Sequence, residues 1–210
     1  MEQITTQDNA VALIGVMAAE LTEVSNIYGQ QYKGYQTIVR TTRRSGQQDE
    51  AIVFCAADTK HIAAGAPVIC YGKLQTFKNY QSGKVLVYVL ADTLLETGEN
   101  YEPENEVRLK GVLGKGISHR QTPNGKRITD IKVQLPNELR EGGKCYAPAI
   151  CWNETADTVK DWAEDTQVTI KGRLQSRSYE KKDENGQSVA HTCYEVSIYK
   201  ITKDEDEKKD

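Results

Sequence analysis

The segment "CYAPAICWN" sets Tyr146, Pro148, Ile150 and Trp152 at even spacing, with Ala147, Ala149 and Cys151 between them. Successive side chains of an extended strand point to opposite faces, so this spacing gathers the large residues on one face and the small ones on the other. Exposed aromatic faces can hold flat rings by stacking, and cations beside them can hold phosphates. Arg120, Lys126 and Arg127 flank the turn in "RQTPNGKR", and Arg173 and Arg177 punctuate "KGRLQSRSY". Bond-making chemistry has no comparable support. The chain contains no Gly-rich phosphate loop, no acidic pair at a motif spacing and no Cys-His arrangement, and His61, His119 and His191 lack partners that would serve catalysis. No enzyme activity, cofactor or metal is therefore expected. Cys55, Cys70, Cys145, Cys151 and Cys193 are an odd set without CxxC spacing, and three of them sit in apolar strand patterns. They read as buried thiols rather than disulfides or a zinc site.

A chain of 210 residues with 38% hydrophobic content can build one or two modest cores but no membrane span. The start, "MEQITTQDNAVALIGV", is polar and then strand-like, so no signal peptide is expected and a cytoplasmic location is the default. The net charge of −3 averages over faces and includes the acidic ending "KDEDEKKD", which leaves room for a local basic groove.

Internal repetition organises these residues. "NAVALIGVM" from Asn9 returns as "NEVRLKGVL" from Asn105; Gly15 and Gly111 stand 96 apart, as do Gly29 and Gly125. "VICYGKLQT" from Val68 returns as "VTIKGRLQS" from Val168, now 100 apart. In the second copy, alternation predicts strands near 106–116, 126–135, 145–152, 167–176 and 193–201. A helix is expected in "NETADTVKDWAED", capped by Asn153 or Thr155, with Ala156, Val159, Trp162 and Ala163 on one stripe. The Thr-Pro-Asn-Gly stretch before Lys126 is a hairpin turn. Five strands with one helix after the third, and glycines in strands one and four, suit a small Greek-key barrel. The expected fold is all-β: two tandem five-stranded OB-fold barrels, each with one short helix between strands three and four. The expected boundaries are 1–98 for a diverged first lobe, 99–104 for a linker, 105–202 for the second lobe and 203–210 for an acidic tail.

"NEVRLKGVLGKGISHRQTPNGKRITDIKV", "CYAPAICWN", "VTIKGRLQSRSYEKKDENGQ" and "YEVSIYKI" resemble, in order, the OB core of bacterial single-stranded DNA-binding proteins over most of 105–201. The first copy, residues 9–95, resembles a diverged relative. The resemblance implies non-enzymatic binding of single-stranded DNA or RNA in replication, recombination or repair. Tyr146 and Trp152 correspond to two of the family's stacking positions, and Tyr179 to a third. Arg120, Lys126, Arg127, Arg173 and Arg177 would supply the cations of the groove. In the first copy the candidates are Phe54, Phe77 and Tyr80, with Tyr32 and Tyr35 nearby, and Arg40, Arg43, Arg44, Lys73 and Lys78. Gln48 or Asp49 stands there where an aromatic would be wanted.

This chain has Asn153-Glu154 where the family pattern continues Gly-Lys, and Pro148 where a basic residue is common, which predicts a less cationic groove. The ending lacks the acidic-apolar tip through which the family recruits repair and replication enzymes, so that recruitment is not expected. A homodimer is expected, because the family commonly assembles four OB-folds and this chain carries two. The alternative is an accessory factor similar to primosomal OB proteins, acting mainly by protein–protein contacts.

Overall fold

The computed structural model describes residues 8–59, 61–79, 83–182 and 187–204; the side chains at 57, 178–182 and 189–191 lie outside the description. Strands dominate it. The first half holds β1 (Asn9–Met17), β2 (Thr22–Ile27), β3 (Gln30–Thr42), β4 (Gln48–Cys55), β5 (Pro67–Lys78) and β6 (Val85–Glu96). The second holds β7 (Glu104–Leu113), β8 (Ser118–Gln121), β9 (Arg127–Pro136), β10 (Lys144–Trp152), the helix α1 (Glu154–Val159), β11 (Gln167–Lys182) and β12 (Ser188–Lys203). A single 3-10 turn, Ala57–Thr59, follows β4. Among the described residues no helix is long and apolar enough to cross a membrane.

The strands run β2-β3-β4-β6-β5-β1-β7-β11-β12-β10-β9-β8, so the second half repeats the neighbour relations of the first in mirror order. Each half also pairs across its own ends. β1 meets β3 at Val16↔Arg40 and β4 meets β6 in parallel at Val53↔Val89, while β7 meets β9 at Val112↔Gln134 and β10 meets β12 in parallel at Ala149↔Val196. The repeated glycines sit where strands crowd. A Cβ on Gly15 would lie 2.1 Å from the Arg40 carbonyl oxygen, and one on Gly111 would lie 2.5 Å from that of Gln134. Gly72 and Gly172 each open a bulge against β6 and β12.

The halves join edge to edge. β1 and β7 pair antiparallel with Val11 opposite Val107, two residues 96 apart, so equivalent positions meet each other as they do across a two-fold axis. The asparagine that opens each repeat has a defined task. Asn9 Nδ2 donates to the Leu74 carbonyl at 2.9 Å while Leu74 N–H donates to Asn9 Oδ1 at 2.9 Å, and Asn105 makes the same pair with Leu174 at 2.9 and 2.8 Å. Each polar side chain thereby satisfies two main-chain groups at a strand crossing.

The hairpin turns differ between halves. Tyr28 and Gly29 both take positive φ, 51° and 84°, giving the tight two-residue turn between β2 and β3. The Thr-Pro-Asn-Gly turn instead closes on Gly125 N–H to Thr122 O at 2.8 Å, with Gly125 at φ 78°. The helix is shorter than its stripe implied. Ala156 and Val159 are buried as expected, but α1 stops there, and Trp162 lies in the turn beyond it with Lys203 Nζ 4.8 Å from its ring centroid. Asn153 stands at the N-cap with φ 51° and makes no side-chain cap bond; its N–H donates to Arg127 O instead.

Candidate nucleic-acid interface

β10 has the two faces its alternation implied. Ala147, Ala149 and Cys151 are buried in the core, whereas Tyr146 is 44% exposed and Trp152 half-buried. Ile150, on the outer set, is buried as well. Tyr146 is held from three sides. Its ring lies against Gly114, where a Cβ would sit 3.2 Å from it, its hydroxyl donates to Gln134 Oε1 at 3.1 Å, and its main chain exchanges two 3.2 Å bonds with Thr76 Oγ1 of the first half. A ring fixed in this way loses little further rotamer freedom when a base stacks on it.

Tyr146 and Trp152 open onto different concavities, both shared between the halves. Trp152 lines a cleft of about 390 Å³ with Arg43, Lys126, Arg173, Ser176 and Arg177. Tyr146 lines a groove of about 700 Å³ whose first-half wall includes Phe77 and Lys78 and whose second-half wall includes Lys115, Lys132 and Lys144. Lys115, Lys132, Lys144 and Arg140, which also lines this groove, were not picked out by the sequence. Their signal was weak, since lone cations in polar turns and strand edges carry no pattern.

Most of the expected cations are already paired. Arg40 meets Glu50 at 2.7 Å, Arg120 meets Asp130 at 2.9 Å and Arg127 meets Asp157 at 2.8 Å. Arg177 meets Glu195 at 3.3 Å, and Lys73 meets Glu138 of the other half at 2.7 Å, a bond that raises the Lys73 pKa. Asp49, only 1% exposed, organises the Trp152 cleft: it takes Arg43 Nε and Nη2 at 2.5 and 2.6 Å, accepts Ser176 N–H at 3.3 Å, and stands 3.9 Å from Arg173 Nε. Burial, and then the neighbouring Arg43, lower the Arg173 pKa, while Asp49 opposes that shift. Lys126 and Arg44 are exposed with no carboxylate partner among the described residues. Burial pushes the Glu195 carboxyl above the ordinary carboxylate range, with Arg177 pulling against it.

Phe54 is buried, 2% exposed, and this corrects its place among the stacking candidates. It belongs to a cluster in which Tyr32 and Tyr88 meet it edge-on at centroid distances of 6.2 and 5.1 Å, and Leu139 of the second half packs over the same patch. Phe77 stacks on Tyr28 at 4.7 Å, and Tyr28, 40% exposed, is an aromatic that no sequence pattern marks out. Tyr35 packs against the core. Tyr80 lies outside the described residues, and for Tyr179 only the backbone is described, paired with His191 in β11–β12. Cys55, Cys70, Cys145 and Cys151 are buried free thiols and Cys193 is half-buried. His61 and His119 make local bonds, to Asp58 O and Thr129 Oγ1.

The profile of the single-strand binding protein family matches residues 104–202. That match lies wholly within the second half of the chain. A single-stranded DNA-binding protein of Paenarthrobacter aurescens is 28% identical over 95 residues, a segment that takes in 41% of this chain and 56% of the relative, so this chain spans little more than half of that protein's length. Among solved structures, a deletion mutant of the single-stranded DNA-binding protein from Thermus aquaticus superposes with a TM-score of 0.69 at 18% identity, covering 94% of this chain and 95% of the other. The wild-type form of that protein gives 0.67 at 17% identity, covering 94% and 93%. At these identities the likeness is one of fold, and it extends through both halves, whereas the family profile is confined to the second. The matched segment thus contains Tyr146, Trp152 and all four of the cations that the sequence did not pick out.

Proposed function

We propose that this protein is a non-enzymatic single-stranded DNA-binding protein of two tandem OB-fold lobes, 1–98 and 105–202, joined by a short linker at 99–104. Bases stack on Tyr146 and Trp152, and cations around them neutralise phosphates. The observation that carries this reading is β10 itself: a strand whose small residues fill the core and whose two rings line cation-bearing concavities, in the half that matches the family. Tyr179 would add a third platform on β11. The processes served would be replication, recombination or repair in the cytoplasm, with RNA as the competitor to be tested against DNA.

A homodimer completes the proposal. The outer face of β6-β5-β1-β7-β11-β12 carries Leu95 and Tyr199, 57% and 55% exposed, beside Ile69 and Tyr71, while the alternate residues Val68 and Cys70 are buried. A second copy would cover this apolar strip. Light scattering should give twice the chain mass at tens of micromolar, and a monomer mass would reject the dimer.

Oligonucleotide titration tests binding itself. Stacking of a base contributes roughly 1–3 kcal/mol, so Trp152→Ala and Tyr146→Ala should each weaken binding of an oligo-dT by about 5-fold to 150-fold at fixed salt, with melting changed little for Tyr146→Ala. Folded variants that bind as tightly as the parent would remove the stacking mechanism.

A further inference from the structure

Only part of the cationic surface is free to neutralise phosphate. An arginine already bonded to a carboxylate displaces few counterions when a phosphate approaches, because the pair is nearly neutral as a unit. Arg43 and Arg173 share Asp49 in this way, and Arg177 is held by Glu195. The groove at Tyr146 is different. Lys115, Lys132, Arg140 and Lys144 are all exposed and have no carboxylate partner among the described residues. These four cations face one lining carboxylate, Asp165. The groove also offers aromatic walls from both halves, Tyr146 braced on Gly114 and Phe77 backed by Tyr28.

We propose that the phosphates of the bound strand are neutralised chiefly in this inter-half groove, by Lys115, Lys132, Arg140 and Lys144, and that the strand passes there from the second half onto the Phe77 wall of the first. Of the arginines around Trp152, Arg173 instead reaches across to Asp49 of the first half, and Arg43 and Arg177 shape the cleft. This rests on the reading of the protein as a single-strand binder. The first half thereby takes part through Phe77 rather than through Phe54 and Tyr88, which are buried.

The test compares two double variants of the full chain, titrated with oligo-dT across a salt series. Each lost phosphate contact lowers the slope of log affinity against log salt by about 0.7 on a single strand, equivalent to roughly 5-fold in affinity at 0.1 M salt. K132Q/K144Q should therefore bind about 25-fold more weakly at 0.1 M, with a slope shallower by about 1.4. R120Q/D130N removes a whole ion pair from the rim of the β8–β9 hairpin, leaves net charge unchanged, and should keep the parent's slope and its affinity within about twofold. Lys132, Lys144 and Arg120 are exposed and Asp130 is half-buried, and equal melting temperatures verify that folding is intact. A parent-like slope in K132Q/K144Q, or the loss appearing in R120Q/D130N instead, overturns the groove assignment while single-strand binding stands. A parent that binds no oligonucleotide overturns both.

Discussion

Replacing Asp49 by Asn should make the protein less stable and, at the same time, a tighter and more salt-sensitive binder. The Asp49 carboxylate is 1% exposed and answers two guanidinium groups, Arg43 at 2.5 and 2.6 Å and Arg173 at 3.9 Å, while also accepting Ser176 N–H from the other half. Asn keeps an oxygen for Ser176 but removes the charge, leaving two cations facing each other. Breaking a fully buried pair costs about 3–5 kcal/mol. Here the Arg43 and Arg173 side chains are 20% and 32% exposed and can turn toward water, so a loss of about 2–3 kcal/mol is expected. With a urea dependence of about 3 kcal/mol/M, the midpoint should fall by roughly 0.7–1 M. The two released arginines line the Trp152 cleft, so the salt slope should steepen by up to about 1.4, and affinity for oligo-dT at 0.1 M should rise by about 5-fold to 25-fold. Urea unfolding followed by circular dichroism, and fluorescence anisotropy on the same preparation, read the two effects separately. An unchanged midpoint would show that Asp49 does not clamp the halves, and an unchanged slope would show that the freed arginines do not reach phosphate.

Phe54→Ala should cost about 3–5 kcal/mol of stability through the cavity it leaves among Tyr28, Tyr32 and Tyr88, with oligonucleotide affinity unchanged wherever the variant is folded; a folded, stable variant with weakened binding would return Phe54 to the interface. Gly15→Ala places a methyl 2.1 Å from the Arg40 carbonyl oxygen, so β1 and β3 must separate, and thermal unfolding should show a loss of about 3 kcal/mol or more; a parent-like melting temperature would mean the crossing is looser than described. Glu195 is 9% exposed, and burial holds its folded pKa above the unfolded one. The stability this group contributes is thus present below the unfolded value and lost as pH rises through the folded value. Glu195→Gln should therefore raise the melting temperature at pH 7 and leave it unchanged near pH 3, and the opposite order would show that the Arg177 pair outweighs burial.

What could be read from the sequence, and what could not, divides along a physical line. Alternation within one strand is local, and it placed Ala147, Ala149 and Cys151 inside and Tyr146 outside without further information. The repeated glycines were legible for a related reason, since a residue without a side chain twice in register marks a crowded crossing wherever the partner strand lies. Charge state was half legible. Arg40 and Glu50 face each other directly across the β3–β4 hairpin, a pair that hairpin register alone predicts, whereas Asp49 meets Arg173 and Ser176 across more than 120 positions of chain. Phe54 failed for that second reason. It does point away from the β4 core residues Val53 and Cys55, as alternation requires, but the turn residue Tyr28, the strand residue Tyr88 and Leu139 of the other half arrive to cover it. An outward position becomes a binding position only if no distant segment claims it. At Tyr146 the distant segment is Thr76, which bonds the main chain and leaves the ring open. The same docking of one half on the other that hides the first aromatic face thus holds the second one out toward solvent.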